Sequence, residues 1–374
     1  MNNAELNLDF TERSVFALRS LYNRYGYTQY KMSKFEEYDL YARNKDFLIS
    51  DQVITFTDLS GTLMALKPDV TLSIVKNTAD RPGGLQKLYY NENVYRVSKG
   101  SRSFKEITQV GLEAFGAIDS YCISEVLLLA AKSLLAISRE AILDISHLGL
   151  LSEFIKSLGI PQTEASRVLG YIGEKNLHEL SAACESFGLP SENVDILVKL
   201  AAISGPVGTV VSQVEALLRG RVSDDALESF VRILSALSGS EVGHMLHLDF
   251  SVVDDIHYYN GIVFKGFIHS LPAAVLSGGQ YDKLMRKMGR DDSAIGFAVY
   301  MDMTERLARP VSAYDVDTLL LYDEDADLSV LRQETAALST DGSVLALRKI
   351  PDGLKYRRLL KLQGSEVAEL ANDT

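Results

Sequence analysis

The chain carries only two cysteines in 374 residues, Cys122 and Cys184. Two cysteines cannot build a disulfide framework, and neither has a neighbour at metal-ligand spacing, so both read as buried thiols. His178 stands six residues before Cys184 on a helical pattern, which suits a core or surface position better than a metal site. Basic residues are also scarce, with 38 Lys and Arg against 50 Asp and Glu, a formal net charge of −12. Broad nucleic-acid binding relies on a basic surface that displaces counterions from phosphates, and this balance argues against it. Long apolar runs are missing: a membrane span takes roughly 18 apolar residues, and the richest stretch, residues 126–137, is cut by Lys132 and Ser133. The opening MNNAELNLDF lacks a charged-then-apolar leader pattern, so the expectation is a cytoplasmic protein without membrane association. No Walker loop, Cys/His cluster or nucleophile elbow occurs, and no cofactor or metal is expected.

What the chain does have is a core. Hydrophobic residues make up 47% of it, enough for one large domain with additions or for two to three smaller ones. The most informative stretch is residues 88–116, LYYNENVYRVSKGSRSFKEITQVGLEAFG, in which two apolar-alternating runs flank a loop of Ser, Gly, Lys and Arg. That pattern predicts an antiparallel hairpin. Side chains alternate along a strand, so Thr108, Val110, Leu112 and Ala114 share one face while Gln109, Gly111 and Glu113 share the other. Glycine between an amide and a carboxylate leaves a pit about 13 Å long at roughly 3.3 Å per residue. Such a pit suits a small cationic ligand; the same two side chains also fit the wet face of a half-solvated sheet.

Taken in order, the chain begins with an amphipathic helix capped at Asp9 or Thr11, running to about Tyr25, with Val15, Leu18 and Leu21 or Tyr22 inward and Gly26 as its stop. Residues 27–35 read as a strand. A second hairpin, residues 53–59 and 62–66 around Ser60-Gly61, empties into Lys67-Pro68-Asp69-Val70-Thr71, where proline ends the strand and starts a helix. Asp69 and Thr71 there also have the makings of a plain N-terminal cap. A long helix over 120–138, with Val126, Leu129, Ala130 and Leu134 on one side, faces the sheet. A strand over 141–147 and a helix over 150–158 follow. Residues 161–240 change character to helical periodicity with Gly/Pro breaks, and read as a helical insertion. Strand character returns at 247–253 and 273–276, then come the Ser277-Gly278-Gly279-Gln280-Tyr281-Asp282 turn, a helix, and a strand at 293–300. The tail reads as a βαβ fragment: strand 316–322, helix 328–338, strand 344–348.

These motifs resemble the class II aminoacyl-tRNA synthetases, in the form carried by histidyl-tRNA synthetase. Tyr95-Arg96, the basic loop from Lys99 to Lys105, and Gln-x-Gly-x-Glu-x-Phe-Gly at 109–116 look like the family's motif 2. Lys67-Pro68-Asp69-Val70-Thr71 is similar to its Arg-Pro-Glu-Gly-Thr. Tyr258-Tyr259, the Gly278-Gly279-Gln280-Tyr281-Asp282 segment and the strand SAIGFAVY at 293–300 resemble its Tyr-Tyr strand, Gly-Gly-Arg-Tyr-Asp turn and motif 3. The resemblance spans about residues 10–310, in the same order. It implies an α+β fold: a class II synthetase-like antiparallel sheet flanked by helices, formed by residues 1–160 and 241–310, with 161–240 inserted. Residues 311–374 would be a truncated anticodon-binding-like remnant. It also implies a histidine pocket lined by Asp69, Thr71, Gln109, Glu113, Tyr258, Tyr259 and Tyr281, and phosphate contacts from Arg96, Lys99 and Arg102. A guanidinium forks onto phosphate oxygens and a carboxylate suits an ammonium, so the residue types agree with those roles. The basic loop reads equally as a solvated surface loop. A homodimer is implied by motif 1, although Ser33 stands where that motif usually has proline.

Departures from the family point away from catalysis. Adenylation needs cations around the reacting phosphate. The family's arginine four residues before the Tyr-Tyr pair is Asp254 here, and the motif 3 arginine falls on Met303, with Arg306 one helical turn away. A chain that keeps an amino-acid pocket but loses phosphate chemistry and the grip on transfer RNA is similar to the regulatory subunit of ATP phosphoribosyltransferase, a synthetase paralogue. That resemblance implies a non-catalytic hetero-oligomer partner of the short catalytic subunit, with histidine as effector. Two rival readings are an active synthetase, which would need an arginine at position 254 and a full anticodon domain, and a phosphoribosyltransferase, suggested by Val252-Val253-Asp254-Asp255-Ile256. The second requires small residues and glycine after the acids to cradle a phosphate, where this chain has His257, Tyr258 and Tyr259.

Overall fold

In the computed structural model, which describes residues 8–48, 53–79, 83–97, 103–253, 258–307, 314–364 and 366–372, two units are compact by themselves, Met1–Leu307 and Ala308–Thr374. The larger unit opens with α1 (Phe10–Arg24), whose start is a capping box: the Glu12 amide donates to Asp9 at 2.7 Å and the Asp9 amide donates to Glu12 at 2.9 Å. Leu18, Leu21 and Tyr22 are its buried stripe. Gly26, at φ +81°, turns the chain out of the helix.

The strand expected over 27–35 is reduced to β1 (Thr28–Gln29), parallel to the central hairpin. Tyr30 makes one more bond, its amide donating to the Tyr89 carbonyl at 2.8 Å. The Ser33 hydroxyl then accepts from the Phe35 amide at 3.1 Å, and this turn delivers the chain to a separate small sheet. That sheet is built from β2 (Phe35–Glu37), then, after α2 (Tyr38–Arg43), from β3 (Thr55–Thr57) and β4 (Leu63–Leu66), in the order β2-β4-β3. The expected second hairpin is therefore present, and α3 (Thr71–Asn77) follows its exit.

The long hairpin is β5 (Leu85–Val97) and β6 (Phe104–Gly116), in register from Leu85 opposite Gly116 to Val97 opposite Phe104. Next come α4 (Ser120–Ile137), β7 (Ala141–His147), α5 (Leu148–Ser157) and the helical stretch α6 (Gln162–Gly173), α7 (Leu177–Ser186) and α8 (Ser191–Ala202). A short β8 (Ser204–Pro206), α9 (Val207–Leu218) and α10 (Asp224–Ser238) complete that stretch. The chain returns as β9 (Leu246–Asp249), shorter than the strand expected over 247–253, because backbone bonds from Val252 to Asp249 and from Val253 to Ser251 coil the segment after it. It ends the unit with β10 (Ile262–Ile268), β11 (Leu276–Gln280), α11 (Asp282–Lys287), β12 (Ser293–Tyr300) and α12 (Met301–Thr304). The central sheet runs β1-β5-β6-β12-β11-β10-β7-β9-β8, antiparallel except where β1 meets β5 and β7 meets β9. Ser277 to Gln280, expected as a turn, thus form an interior strand. Tertiary packing overrides the local preference of Gly-Gly for a turn: a Cβ at Gly278 would stand 2.4 Å from the Phe297 Cβ and 2.5 Å from the Gly296 carbonyl.

Each face of the sheet has its own core. On one face Val110, Leu112, Phe297, Val299, Phe264 and Ile145 pack beneath α4 and α1, and Cys122 and Cys184 belong to the same core. By length and composition α4 is apolar enough to cross a membrane, more so than the sequence suggested. Its Val126, Leu127, Leu129, Ala130 and Leu134 are fully buried within the unit, which accounts for that apolarity as core packing. On the other face Tyr90, Phe115, Ala294 and Tyr281 pack with Val70, Leu72 and Ile74 around α3 and with Leu284 and Met285 of α11. Arg290 closes this second core, its guanidinium 5.0 Å over the Phe115 ring and donating to the Thr78 hydroxyl at 3.1 Å.

The smaller unit has the expected β13 (Val316–Leu321), α13 (Leu328–Leu338) and β14 (Val344–Leu347), and adds β15 (Tyr356–Gln363) and β16 (Glu366–Asn372), which the sequence reading passed over. Its sheet order is β14-β13-β15-β16, with Leu320, Leu360 and Leu362 packed against Val330, Leu331 and Leu338 of α13.

Leu134 is fully buried, and its methyl carbons occupy the space that a Cβ at Gly266 would need, at 2.7 Å. Leu134→Ala should therefore destabilise the larger unit by about 2–5 kcal/mol. Urea unfolding reads this as a lower midpoint at unchanged slope; a midpoint equal to the native one would show that α4 is not the packed element described.

Candidate functional site

A half-enclosed cavity lies on the second face of the sheet. Asp69, Thr71, Gln109, Glu113, Tyr258, Tyr259 and Tyr281 all line it, as does Arg96. The wet-face alternative for β6 is corrected here, because Gln109 is 4% and Glu113 2% exposed. Alternation says which side chains share a face; it does not say that remote segments roof that face over. Lys99, Arg102 and Asp254 lie outside the described residues. Met303 and Arg306 are exposed and do not line the cavity, and Lys105, opposite Arg96 in the hairpin, is exposed as well.

The floor is made of small residues in register. Gly296 of β12 stands opposite Glu113, and Ala298 opposite Gly111. A Cβ at Gly296 would come within 1.8 Å of Glu113 Oε2, and one at Gly111 within 2.2 Å of the Phe297 carbonyl and 2.6 Å of the Tyr90 hydroxyl. Only glycine fits at these two points while the carboxyl and the phenol keep their places.

The roof comes from the loop ahead of α3. Lys67 is fully buried, its ammonium 2.5 Å from Glu92 Oε2 on β5. Its amide donates to the Lys34 carbonyl at 3.1 Å, and its own carbonyl accepts from the Tyr95 amide at 2.9 Å. Tied so to β5 and to the residue just before β2, the loop puts Asp69 and Thr71 over the pit. Asp69 Oδ1 accepts from the Leu72 amide at 2.8 Å, so Asp69 caps the turn and lines the cavity at once. The Thr71 hydroxyl donates to Glu113 Oε1 at 2.7 Å and the Tyr281 hydroxyl donates to Glu113 Oε2 at 2.6 Å. Tyr258 completes an aromatic wall, with ring centroids 4.8 Å from Tyr259, 5.9 Å from Tyr281 and 6.1 Å from Phe47.

Burial raises the Glu113 carboxyl to about 8; nearby Asp69 adds to the rise, while the Tyr281 and Thr71 hydroxyls oppose it. Asp69 is raised too, by burial first, against the pull of the Leu72 amide and the Arg96 guanidinium. Arg96 donates through Nε to the Pro68 carbonyl at 3.1 Å and is the one cation among the described residues that line the cavity. Two acids, one guanidinium and a tyrosine wall suit a small zwitterion with an additional protonatable group. A triphosphate would meet one positive charge and two acidic groups, a poor electrostatic match.

Sequence reasoning missed Tyr90, Ser277, Ala298 and Tyr300, which also line the cavity. The signal was there in part: carrying the register of the hairpin through its loop would have set Tyr90 opposite Gly111. The others sit on strands whose neighbours were not legible.

A helix-flanked antiparallel sheet carrying its site on the long hairpin and the glycine-bearing strand is the class II aminoacyl-tRNA synthetase fold. The histidyl-tRNA synthetase profile matches residues 7–304, and the chain belongs to that family. A solved relative in fold, an ATP phosphoribosyltransferase regulatory subunit/histidyl-tRNA synthetase from Bacillus halodurans, has a TM-score of 0.76 at 22% identity, covering 92% of this chain and 90% of its own. Among characterised sequences, the ATP phosphoribosyltransferase regulatory subunit of Oceanobacillus iheyensis is 24% identical over 320 residues, 82% of this chain and 78% of that protein. A chain of the ATP phosphoribosyl transferase (HisG:HisZ) complex from Thermotoga maritima aligns at a TM-score of 0.61 and 20% identity, over 78% of this chain and 97% of that one.

The folded carboxyl of Glu113 titrates at about 8 against an ordinary 4.5. Its contribution to stability is complete below pH 4.5 and is lost as pH rises through about 8, because only the unfolded state ionises freely in between. Glu113→Gln should remove this decline, giving a flatter thermal midpoint from pH 5 to 8 than the native chain. Parallel profiles for the two proteins would show that the carboxyl is not held neutral.

Proposed function

We infer that this chain is a cytoplasmic, non-catalytic regulatory subunit of ATP phosphoribosyltransferase, required for activity of the short catalytic subunit and for its inhibition by histidine. The observation that carries this is the composition of the cavity: the groups suited to an amino acid are assembled there, while Arg96 is its one described cation. The names of the relatives support the same reading, since one is a regulatory subunit and another belongs to a complex of that enzyme. On this reading the histidine ammonium or imidazole lies against Asp69 and Glu113, its carboxylate against Arg96, and its ring among Tyr258, Tyr259 and Tyr281. Gln109 supplies an amide at the same wall. Lys99 and Arg102 would extend the positive charge of Arg96 along the hairpin tip toward a phosphate.

The domain assignment belongs to this proposal: residues 1–160 and 241–310 as the synthetase-like core, 161–240 as an insertion, and 311–374 as a shortened anticodon-binding-like remnant that does not engage transfer RNA. The working assembly is a homodimer within a hetero-oligomer with the catalytic subunit. Feedback then requires only that histidine bind one state of the assembly better than another. An active synthetase is the poorer reading, because Met303 and Arg306 both stand away from the cavity.

Histidine should bind the isolated chain or its complex, and Glu113→Ala should weaken binding by about 1.5–3 kcal/mol, the range for a hydrogen bond to a charged group. Unchanged affinity by calorimetry would place the ligand elsewhere. Mixed with the short catalytic subunit from the same source, the chain should enable or raise phosphoribosyl transfer, and histidine should then lower the rate. Histidine-dependent exchange of pyrophosphate into ATP should not exceed a heat-killed control. A short subunit fully active alone, indifferent to this chain, would overturn the assignment.

A further inference from the structure

Tyr258 and Tyr259 reach the cavity from a segment with no helix or strand of its own, between the undescribed residues 254–257 and β10. Something must set its register, and the bonds converge on Asn260. The Asn260 amide donates to the Gln280 carbonyl at 3.0 Å. Its Oδ1 accepts from the Lys283 amide at 3.2 Å, and its Nδ2 donates to Asp282 Oδ2 at 3.3 Å. Asp282 is fixed in turn, its Oδ1 accepting from the Ala294 amide of β12 at 2.9 Å. The adjoining Gln280 side chain accepts from the Ile262 amide at 2.8 Å, and a Cβ at Gly261 would stand 2.2 Å from that same Oε1.

None of Asn260, Gln280 and Asp282 lines the cavity, yet their chain neighbours do. Tyr259 immediately precedes Asn260, and Tyr281 lies between Gln280 and Asp282 with its hydroxyl on Glu113. The Asn260–Asp282 pair therefore joins the two segments that carry the aromatic wall. Hydrogen-bond geometry is steep in distance and angle, so a change of partner here shifts Tyr258, Tyr259 and Tyr281 relative to one another.

We propose that Asn260 and Asp282 are positioning residues for the ligand: their side-chain pair locks the 258–260 segment to the start of α11 and so sets the spacing of the three tyrosines around bound histidine. This rests on the cavity being a histidine site.

The pair can be tested by exchange. In Asn260→Asp two carboxylates face each other. In Asp282→Asn one amide would have to accept from both the Ala294 amide and Asn260 Nδ2, which a single carbonyl oxygen in this geometry does not do. In N260D/D282N the aspartate accepts from the Lys283 amide, and the asparagine accepts from Ala294 while donating back across the pair. Calorimetric titration of the full chain with L-histidine, with thermal midpoints measured alongside, should show each single variant binding roughly tenfold more weakly and the exchanged pair within about threefold of native, as expected for directly coupled residues. A purely structural role would lower the midpoints without moving affinity in the variants that remain folded. Native affinity in either folded single variant, or an exchanged pair no better than the weaker single, overturns the proposal. Should a single variant fail to fold, the exchanged pair decides: affinity near native supports the lock and a tenfold loss refutes it. Absence of histidine binding to the native chain overturns the histidine reading itself, and the proposal with it, before any variant is made.

Discussion

The site depends on a single buried carboxyl. Glu113 is held by hydroxyls from two segments far apart in the sequence, Thr71 after β4 and Tyr281 after β11, and Gly296 lies under it. Removing a carboxylate from water without a cation is costly, so in this surrounding the proton stays on. The loop that carries Thr71 is in turn anchored by Lys67, buried and paired with Glu92. A cationic guest would supply the missing charge and favour loss of that proton.

Much of the architecture was legible because its periodicities are local. The cap of α1, placed at Asp9 or Thr11 and found at Asp9, the limits of β7 and β12, and the hairpin of β5 and β6 all follow from spacing within one segment. What the sequence concealed was decided at a distance. Ser277 to Gln280 look like a turn because two glycines favour one, and become a strand because Phe297 and Gly296 leave room for nothing larger. β15 and β16 went unread because their alternation is interrupted by charge, as in Tyr356-Arg357-Arg358-Leu359-Leu360, and because the turn between them is marked only by Gly364 at φ +63°.

The cavity was legible to a similar degree. The residues carried by motif spacing lie around one space, whereas Tyr90, Ser277, Ala298 and Tyr300 enter through cross-strand register. Register is a property of pairs of strands, and a single strand does not record its neighbour. The same holds for the solvent exposure of Gln109 and Glu113, which depends on segments far upstream, at Asp69 and Thr71, and far downstream, from Tyr258 onward.

The apolar character of α4 bears on how the chain is made. Its buried side packs on β10 and β12 as well as on β7, and those two strands are synthesised only after the whole of α5 to α10. Until they emerge, a helix apolar enough for a bilayer has no finished surface to rest on. Contacts this far apart in sequence slow folding, and apolar surface left open meanwhile favours aggregation. The helical stretch, whose α10 also packs on α4, is finished first. One side of α4 therefore has its packing partner available before the strands that complete its floor are translated.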